Sequence, residues 1–136
     1  SLLNNNNKKF KKNNVEDILF RKKIGKGTFS DVYILKNDNT KCIKIYKHYE
    51  EYAYLESKFL SSFNCVNIIK FYKQICYKDK PALILEYCEL DLWKYLKTSD
   101  VNEKFTFAFM QDISNALYYL KYKSCMSNSL FCASKM

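Results

Sequence analysis

Two charged side chains and one turn carry the chemistry that this sequence can perform. The turn lies in Ile24-Gly25-Lys26-Gly27-Thr28-Phe29-Ser30-Asp31-Val32-Tyr33, which holds both glycines of the 136-residue chain. A glycine turn between two strands leaves backbone N–H groups able to lie over a phosphate chain; it serves equally well in an ordinary hairpin. Lys44 supplies a cation on the alternating stretch Lys41 to Tyr46, where Cys42, Lys44 and Tyr46 share one face and Ile43 and Ile45 the other. A strand lysine commonly points to water, but Glu56 argues for another fate. Tyr52, Leu55, Phe59 and Phe63 recur at helical spacing and define an inward stripe, with Glu56 on the same side of that helix. A carboxylate on a buried side is costly without a cation, and Lys44, on the strand just before the helix, is the natural partner. Removing one member of such a pair typically costs ~3–5 kcal/mol.

The elements that must hold these groups follow from periodicity. Residues 1–16 form a polar, Asn/Lys-rich stretch without periodicity, expected to be a disordered tail. Strand patterns run from Ile18 to Ile24, Phe29 to Leu35 and Lys41 to Tyr46, with Lys36-Asn37-Asp38-Asn39 as turn chemistry. Helical spacing occupies residues 50–63. Two more strands are expected near Ile69 to Tyr77 and Ala82 to Tyr87, joined by a turn at Lys78-Asp79-Lys80-Pro81. A short helix from Asp91 to Lys97, with Asp91 able to cap it, precedes a long one from about Asn102 to Tyr122. In the long helix Phe105, Phe109, Ile113, Ala116, Leu117 and Leu120 fall on one face. Three strands, a helix, two strands and then helices make an α+β chain.

Composition narrows the function. Hydrophobic residues make up 48% of the chain and aromatics 17%, enough for a core. The net charge of +9 is mostly lysine without a dense basic stripe, which argues against a specific nucleic-acid partner. Six cysteines contain no C-x-x-C pair and His48 is the only histidine, a poor basis for zinc. Thiols without a secreted spacing pattern suit a reducing, intracellular setting, cytoplasmic or nuclear. No apolar run is long enough to span a bilayer, so no membrane partner is expected.

Taken in order, these features resemble the eukaryotic protein kinase family over roughly residues 18–123. The family's G-x-G-x-x-G-x-V stands here as Gly25-Lys26-Gly27-Thr28-Phe29-Ser30-Asp31-Val32, and its V-A-I-K as Lys41-Cys42-Ile43-Lys44. Glu56, followed by Phe59-Leu60 and Asn67-Ile68-Ile69-Lys70, resembles the regulatory helix running into the next strand. Leu85 stands at the gatekeeper position and Glu86-Tyr87-Cys88 looks like the adenine-binding hinge. The resemblance implies a kinase N-terminal lobe with its hinge at 17–88, a five-stranded antiparallel sheet with one regulatory helix. The first helices of an incomplete helical C-terminal lobe would follow at 89–123, and an atypical tail at 124–136. It implies ATP as cofactor: the backbone of Gly25, Lys26, Gly27, Thr28, Phe29 and Ser30 over the phosphates, Ile24, Val32 and Cys42 over the adenine, Glu86 and Cys88 on its edge, and Asp91 near the ribose. Lys44 would hold the α- and β-phosphates and Glu56 would fix Lys44.

Departures from the family pattern bound the expected activity. Ser30 replaces the third glycine and Cys42 a small alanine. After Leu120 the family's H-R-D is due, and neither it, the metal-binding asparagine nor D-F-G occurs in this sequence. The catalytic base and the ligands expected for Mg2+ are therefore missing. The leading expectation is the ATP-binding portion of a serine/threonine protein kinase cut short before its catalytic loop and inactive alone; the parent enzyme would transfer the γ-phosphoryl group to a protein substrate. The alternative is a non-catalytic, pseudokinase-like protein that binds a nucleotide or a partner. A lysine-driven nucleic-acid module is the third reading.

Overall fold

A computed structural model describes residues 18–48, 50–98 and 100–133, with side chains as far as 124; the expected tail at 1–16 lies outside the described residues. The elements are β1 (Phe20–Lys26), β2 (Ser30–Leu35), β3 (Lys41–Tyr46), α1 (Glu50–Ser61), β4 (Phe71–Tyr77), β5 (Lys80–Glu86), α2 (Leu92–Thr98) and α3 (Glu103–Ala133). The five strands make one antiparallel sheet in the order β1-β2-β3-β5-β4. The α+β architecture is the one expected from the sequence. The chain divides into two compact units, one holding the sheet and α1, the other holding residues 63–70 and the chain from Cys88 onward.

Register sorts the first unit's side chains onto two faces. Val32 and Leu83 lie opposite Lys44, while Ile34 and Leu85 lie opposite Cys42, so these residues share a face with Tyr46. The other face carries Ile43, Ile45, Ile75, Ala82 and Ile84, with Ile18, Phe20, Tyr33, Leu35 and Tyr77 packed against them. The Phe20 ring stacks 4.7 Å from Tyr33 and lies 5.1 Å from Tyr77. Phe20 and Tyr77 stand on the two outermost strands, four strand spacings apart, or ~19 Å in a flat sheet. The sheet must therefore curl strongly to bring the rings together.

Helix α1 covers the Lys44 face, and its inward side corrects the sequence reading. Ala53, Ser57 and Leu60 are the buried residues, and the Ser57 hydroxyl donates to Oε1 of Gln74 on β4 at 2.7 Å. Tyr52, Leu55 and Phe59 of the expected inward stripe are instead 52–60% exposed, and Phe63 falls beyond the end of α1, in the second unit. Small residues win the inner position because they let the helix backbone approach the sheet. Glu56 borders both arcs, about 40° from Leu60 around the helix at ~100° per residue. It faces the sheet even though the stripe used to place it does not.

The β4–β5 hairpin corrects the expected turn. Lys78 and Asp79 both take positive φ, 47° and 61°, and Tyr77 pairs with Lys80, a two-residue loop of type I′ geometry. Lys80 and Pro81 belong to β5, not to the turn. Because the pair closing such a loop is hydrogen-bonded, the next pair, Cys76 with Pro81, is not; proline's missing N–H costs nothing there.

In the second unit both helices start on side-chain caps. Asp91 Oδ1 accepts the Lys94 N–H at 2.8 Å and Asn102 Oδ1 accepts the Phe105 N–H at 2.9 Å. Tyr95 stacks on Phe105 at 4.4 Å, tying α2 to α3. Residues 63–70 join α3 through the Asn64 N–H, which donates to the Tyr119 hydroxyl at 2.9 Å, and through Asn67, which donates to Asp112. On the anticipated apolar face Phe105, Phe109, Ala116 and Leu120 are half-buried, while Ile113 and Leu117 stay exposed. Helix α3 also runs to Ala133, past the expected loss of helical pattern after Tyr122. No glycine or proline interrupts Glu103–Ala133, so the backbone can remain helical without a regular apolar stripe.

Candidate functional site

Strand β3 and helix α1 bring the two singled-out charges into direct contact. Lys44 Nζ donates to Oε1 of Glu56 at 2.9 Å and to Oε2 at 2.6 Å. The side chains are 25% and 31% exposed, half-buried at the rim of a cavity. A third member was missed in the sequence: the Tyr46 hydroxyl donates to Oε2 of Glu56, and the Tyr46 ring lies 5.1 Å from Lys44 Nζ. Burial, with Glu56 as hydrogen-bond acceptor and neighbouring negative charge, pushes the Tyr46 hydroxyl well above the ordinary phenol value. Alternation had placed Tyr46 on the Lys44 face; the readable signal was a phenol pointing inward, which needs a hydrogen-bond partner.

The cavity beside this triad has a volume of about 330 Å3, within the size range of small-molecule sites. Gly27, Thr28, Phe29 and Ser30 form one wall, Lys44 and Tyr46 the floor, and Tyr52, Leu55 and Glu56 of α1 the other wall. Phe29, at the tip of the turn, packs its ring 5.6 Å from Tyr52. Two of the residues missing from the predicted buried stripe, Tyr52 and Leu55, are thus cavity-lining side chains.

The turn is held by a polar strap. The Gly27 N–H donates to the Ser30 carbonyl at 2.9 Å, and the Lys47 N–H donates to the Phe29 carbonyl at 2.9 Å. Lys47 Nζ donates to the Gly27 carbonyl at 2.7 Å and lies 3.1 Å from Asp31 Oδ1. Lys23 pairs with the other oxygen of Asp31 at 3.0 Å; its hydrogen bond, more than that of Lys47, holds the Asp31 carboxyl below the usual range. Neither glycine has positive φ. A Cβ at Gly25 would lie 3.4 Å from Val32 and one at Gly27 3.4 Å from the Ser30 carbonyl, ordinary van der Waals contact, so in this conformation neither dihedrals nor space demand glycine there. Since the Gly27 amide is already engaged by Ser30, it is not among the N–H groups that could cover an anion in this conformation.

Of the other residues singled out, Val32, Cys42 and Leu85 lie on the same sheet face as Lys44 but outside this cavity. Cys42 is buried and its thiol faces the Glu86 carbonyl at 3.5 Å. Ile24 and Gly25 are half-buried in β1 and Lys26 is exposed at its end. Cys88 and Asp91 belong to the second unit, where Asp91 caps α2 and is held below the usual carboxylate range chiefly by the Lys94 backbone N–H. Among the described residues no cluster of three His, Cys, Asp or Glu side chains could hold a metal ion, and no helix is long and apolar enough to cross a membrane.

No curated protein matches the chain. The family model for the protein kinase domain does, over residues 19–127. The match takes in the whole sheet, the Lys44–Glu56 pair and α3 beyond Tyr122, further toward the chain end than the resemblance read from motifs. On that extent, with the sheet and helix order agreeing, the chain belongs to the protein kinase family.

Proposed function

We propose that the first unit binds an adenine nucleotide, with its phosphates in the cavity between the glycine turn and α1. The observation that carries this reading is Lys44: a cation held by a carboxylate at a cavity that the turn residues Gly27, Thr28, Phe29 and Ser30 also line. A polyphosphate would be met by the ammonium and by turn amides of the 25–30 segment other than that of Gly27, with Glu56 holding Lys44 in reach. Ile24, Val32, Cys42 and Leu85 supply apolar surface for the base, and Glu86 a backbone edge. Family membership supports kinase-type ATP binding in general terms. Transfer of the γ-phosphoryl group to Ser/Thr of a protein is proposed for a parent kinase that carries the catalytic motifs, not for these 136 residues alone.

The groups that would complete the transfer are not in this sequence: neither H-R-D nor D-F-G occurs in its 136 residues. Among the described residues no acidic cluster fits a magnesium site of that design, so no step is assigned to the metal. The 136-residue chain is therefore proposed to bind without transferring. The missing motifs also favour a second reading, a pseudokinase-like nucleotide or partner binder.

Calorimetric titration of the purified chain with ATP tests the binding. Lys44→Met is expected to weaken it about tenfold or more, the scale of a charge-assisted bond to phosphate. Unchanged affinity would overturn the assignment of Lys44. Transfer of labelled phosphate to a protein substrate by the pure chain would overturn the non-catalytic part.

A further inference from the structure

Glu56 has two partners of different chemical kind. Oε2 receives both Lys44 Nζ, at 2.6 Å, and the Tyr46 hydroxyl, whereas Oε1 receives only Lys44, at 2.9 Å. Tyr46 sits two residues after Lys44 on β3, so the strand's period of two returns it to the same face. Its side chain is among the largest fully buried ones, 2% exposed, so its hydroxyl is delivered to Glu56 by a ring that packing holds in place.

We propose that Tyr46 is a positioning residue: a second, uncharged anchor that keeps Glu56, and with it α1, against the sheet while Lys44 is engaged by a phosphate. The proposal rests on the nucleotide reading above. An ammonium divides its attraction among every anion near it, so a polyphosphate entering the cavity competes with Glu56 for Lys44. A carboxylate whose cation is shared in this way gains by turning toward water, and α1 would follow it. A neutral hydroxyl carries no charge for phosphate to compete for, and its one proton is already committed to Glu56. A phenol is protonated at neutral pH in any case, and burial beside Glu56 moves its titration further up. Tyr46 therefore holds the helix when the ion pair is most weakened, and lets Lys44 turn to the ligand without releasing α1.

The test compares the full chain with Tyr46→Phe, which removes one oxygen and keeps the ring. ATP titration and hydrogen exchange of the α1 amides, with the β5 amides as internal reference, are measured together. Tyr46→Phe is expected to weaken ATP binding about 2- to 10-fold, as a smaller share of molecules holds the inward helix. It is also expected to speed α1 exchange relative to β5, most clearly with ATP bound. Glu56→Gln keeps an acceptor for the hydroxyl, so α1 should stay protected in that variant and lose protection when Tyr46→Phe is added. Wild-type affinity together with wild-type α1 exchange in Tyr46→Phe would overturn the proposal, as would equal α1 protection in Glu56→Gln with and without Tyr46→Phe. If the unmodified chain binds no ATP, the nucleotide reading fails by itself; α1 exchange in the ligand-free variants then decides whether Tyr46 anchors Glu56.

Discussion

A double-mutant cycle on Lys44 and Glu56 tests whether their contact is an energetic coupling or only a proximity. The variants are Lys44→Met, Glu56→Gln and the pair together. Glutamine retains an oxygen for the Tyr46 hydroxyl, so the cycle isolates the ionic part of the contact. Exposed pairs couple by ~0.2–1 kcal/mol, and breaking a fully buried pair costs ~3–5 kcal/mol. At 25% and 31% exposure, with two bonds of 2.6 and 2.9 Å, this pair lies between those limits. We expect a coupling of about 1–2 kcal/mol, roughly a 5- to 30-fold change in the folding equilibrium. Urea unfolding of the four proteins, with a common slope, gives the number. Because both groups are partly withdrawn from solvent, more than half of the coupling should survive in 1 M salt. A coupling below about 0.3 kcal/mol, or one abolished by salt, would refute the reasoning.

Two further outcomes follow from the first unit. Asp79→Gly is expected to stabilise the chain by about 0.5–1 kcal/mol, because Asp79 holds a φ of 61° that glycine adopts without strain; unchanged or lower stability in urea would count against a type I′ turn. Asp38 bonds the Thr40 amide and hydroxyl and the Lys41 ammonium, and Lys41 foremost lowers its carboxyl from 3.8 to about 2. A depressed carboxyl stabilises the fold above its unfolded value and loses that effect as pH falls through the folded one, so the β2–β3 turn should loosen between about pH 4 and pH 2. A chemical-shift titration of Thr40 that instead moved with a midpoint near 4 would refute it.

Local rules recovered the strands that hold the site and failed where packing decided. Period two put Cys42, Lys44 and Tyr46 on one face of β3 because a strand's geometry leaves no alternative. Of the two grounds for Glu56, the spacing to Asn67-Ile68 holds and the apolar stripe does not: α1 turns Ala53 and Ser57 inward, and hydrophobicity ranks Tyr52 and Phe59 above both. Helix orientation depends on how close two backbones can come, which small residues govern and apolar periodicity does not register. Pro81 read as turn because proline punctuates chains, yet its strand position needs no donor. The cavity wall from Tyr52 and Leu55 was hidden for the same reason as the helix face. The Lys47 and Asp31 strap was invisible because ordinary surface charges gain their meaning only from the register that brings them together.

The irregularities of the sheet all fall on its outer ladders. β1 against β2 shifts register twice and β4 against β5 once, whereas the two inner ladders run without a break. The outer strands also present Lys22, Lys23, Lys26 and Lys73. Kinked, charged borders of this kind offer a neighbouring molecule no straight row of amide and carbonyl groups on which to add a strand. Strand addition to the folded sheet is thereby obstructed, and self-association of this aromatic-rich chain is left to exposed apolar side chains off the sheet, such as Trp93 of α2 and Phe107 and Leu117 of α3.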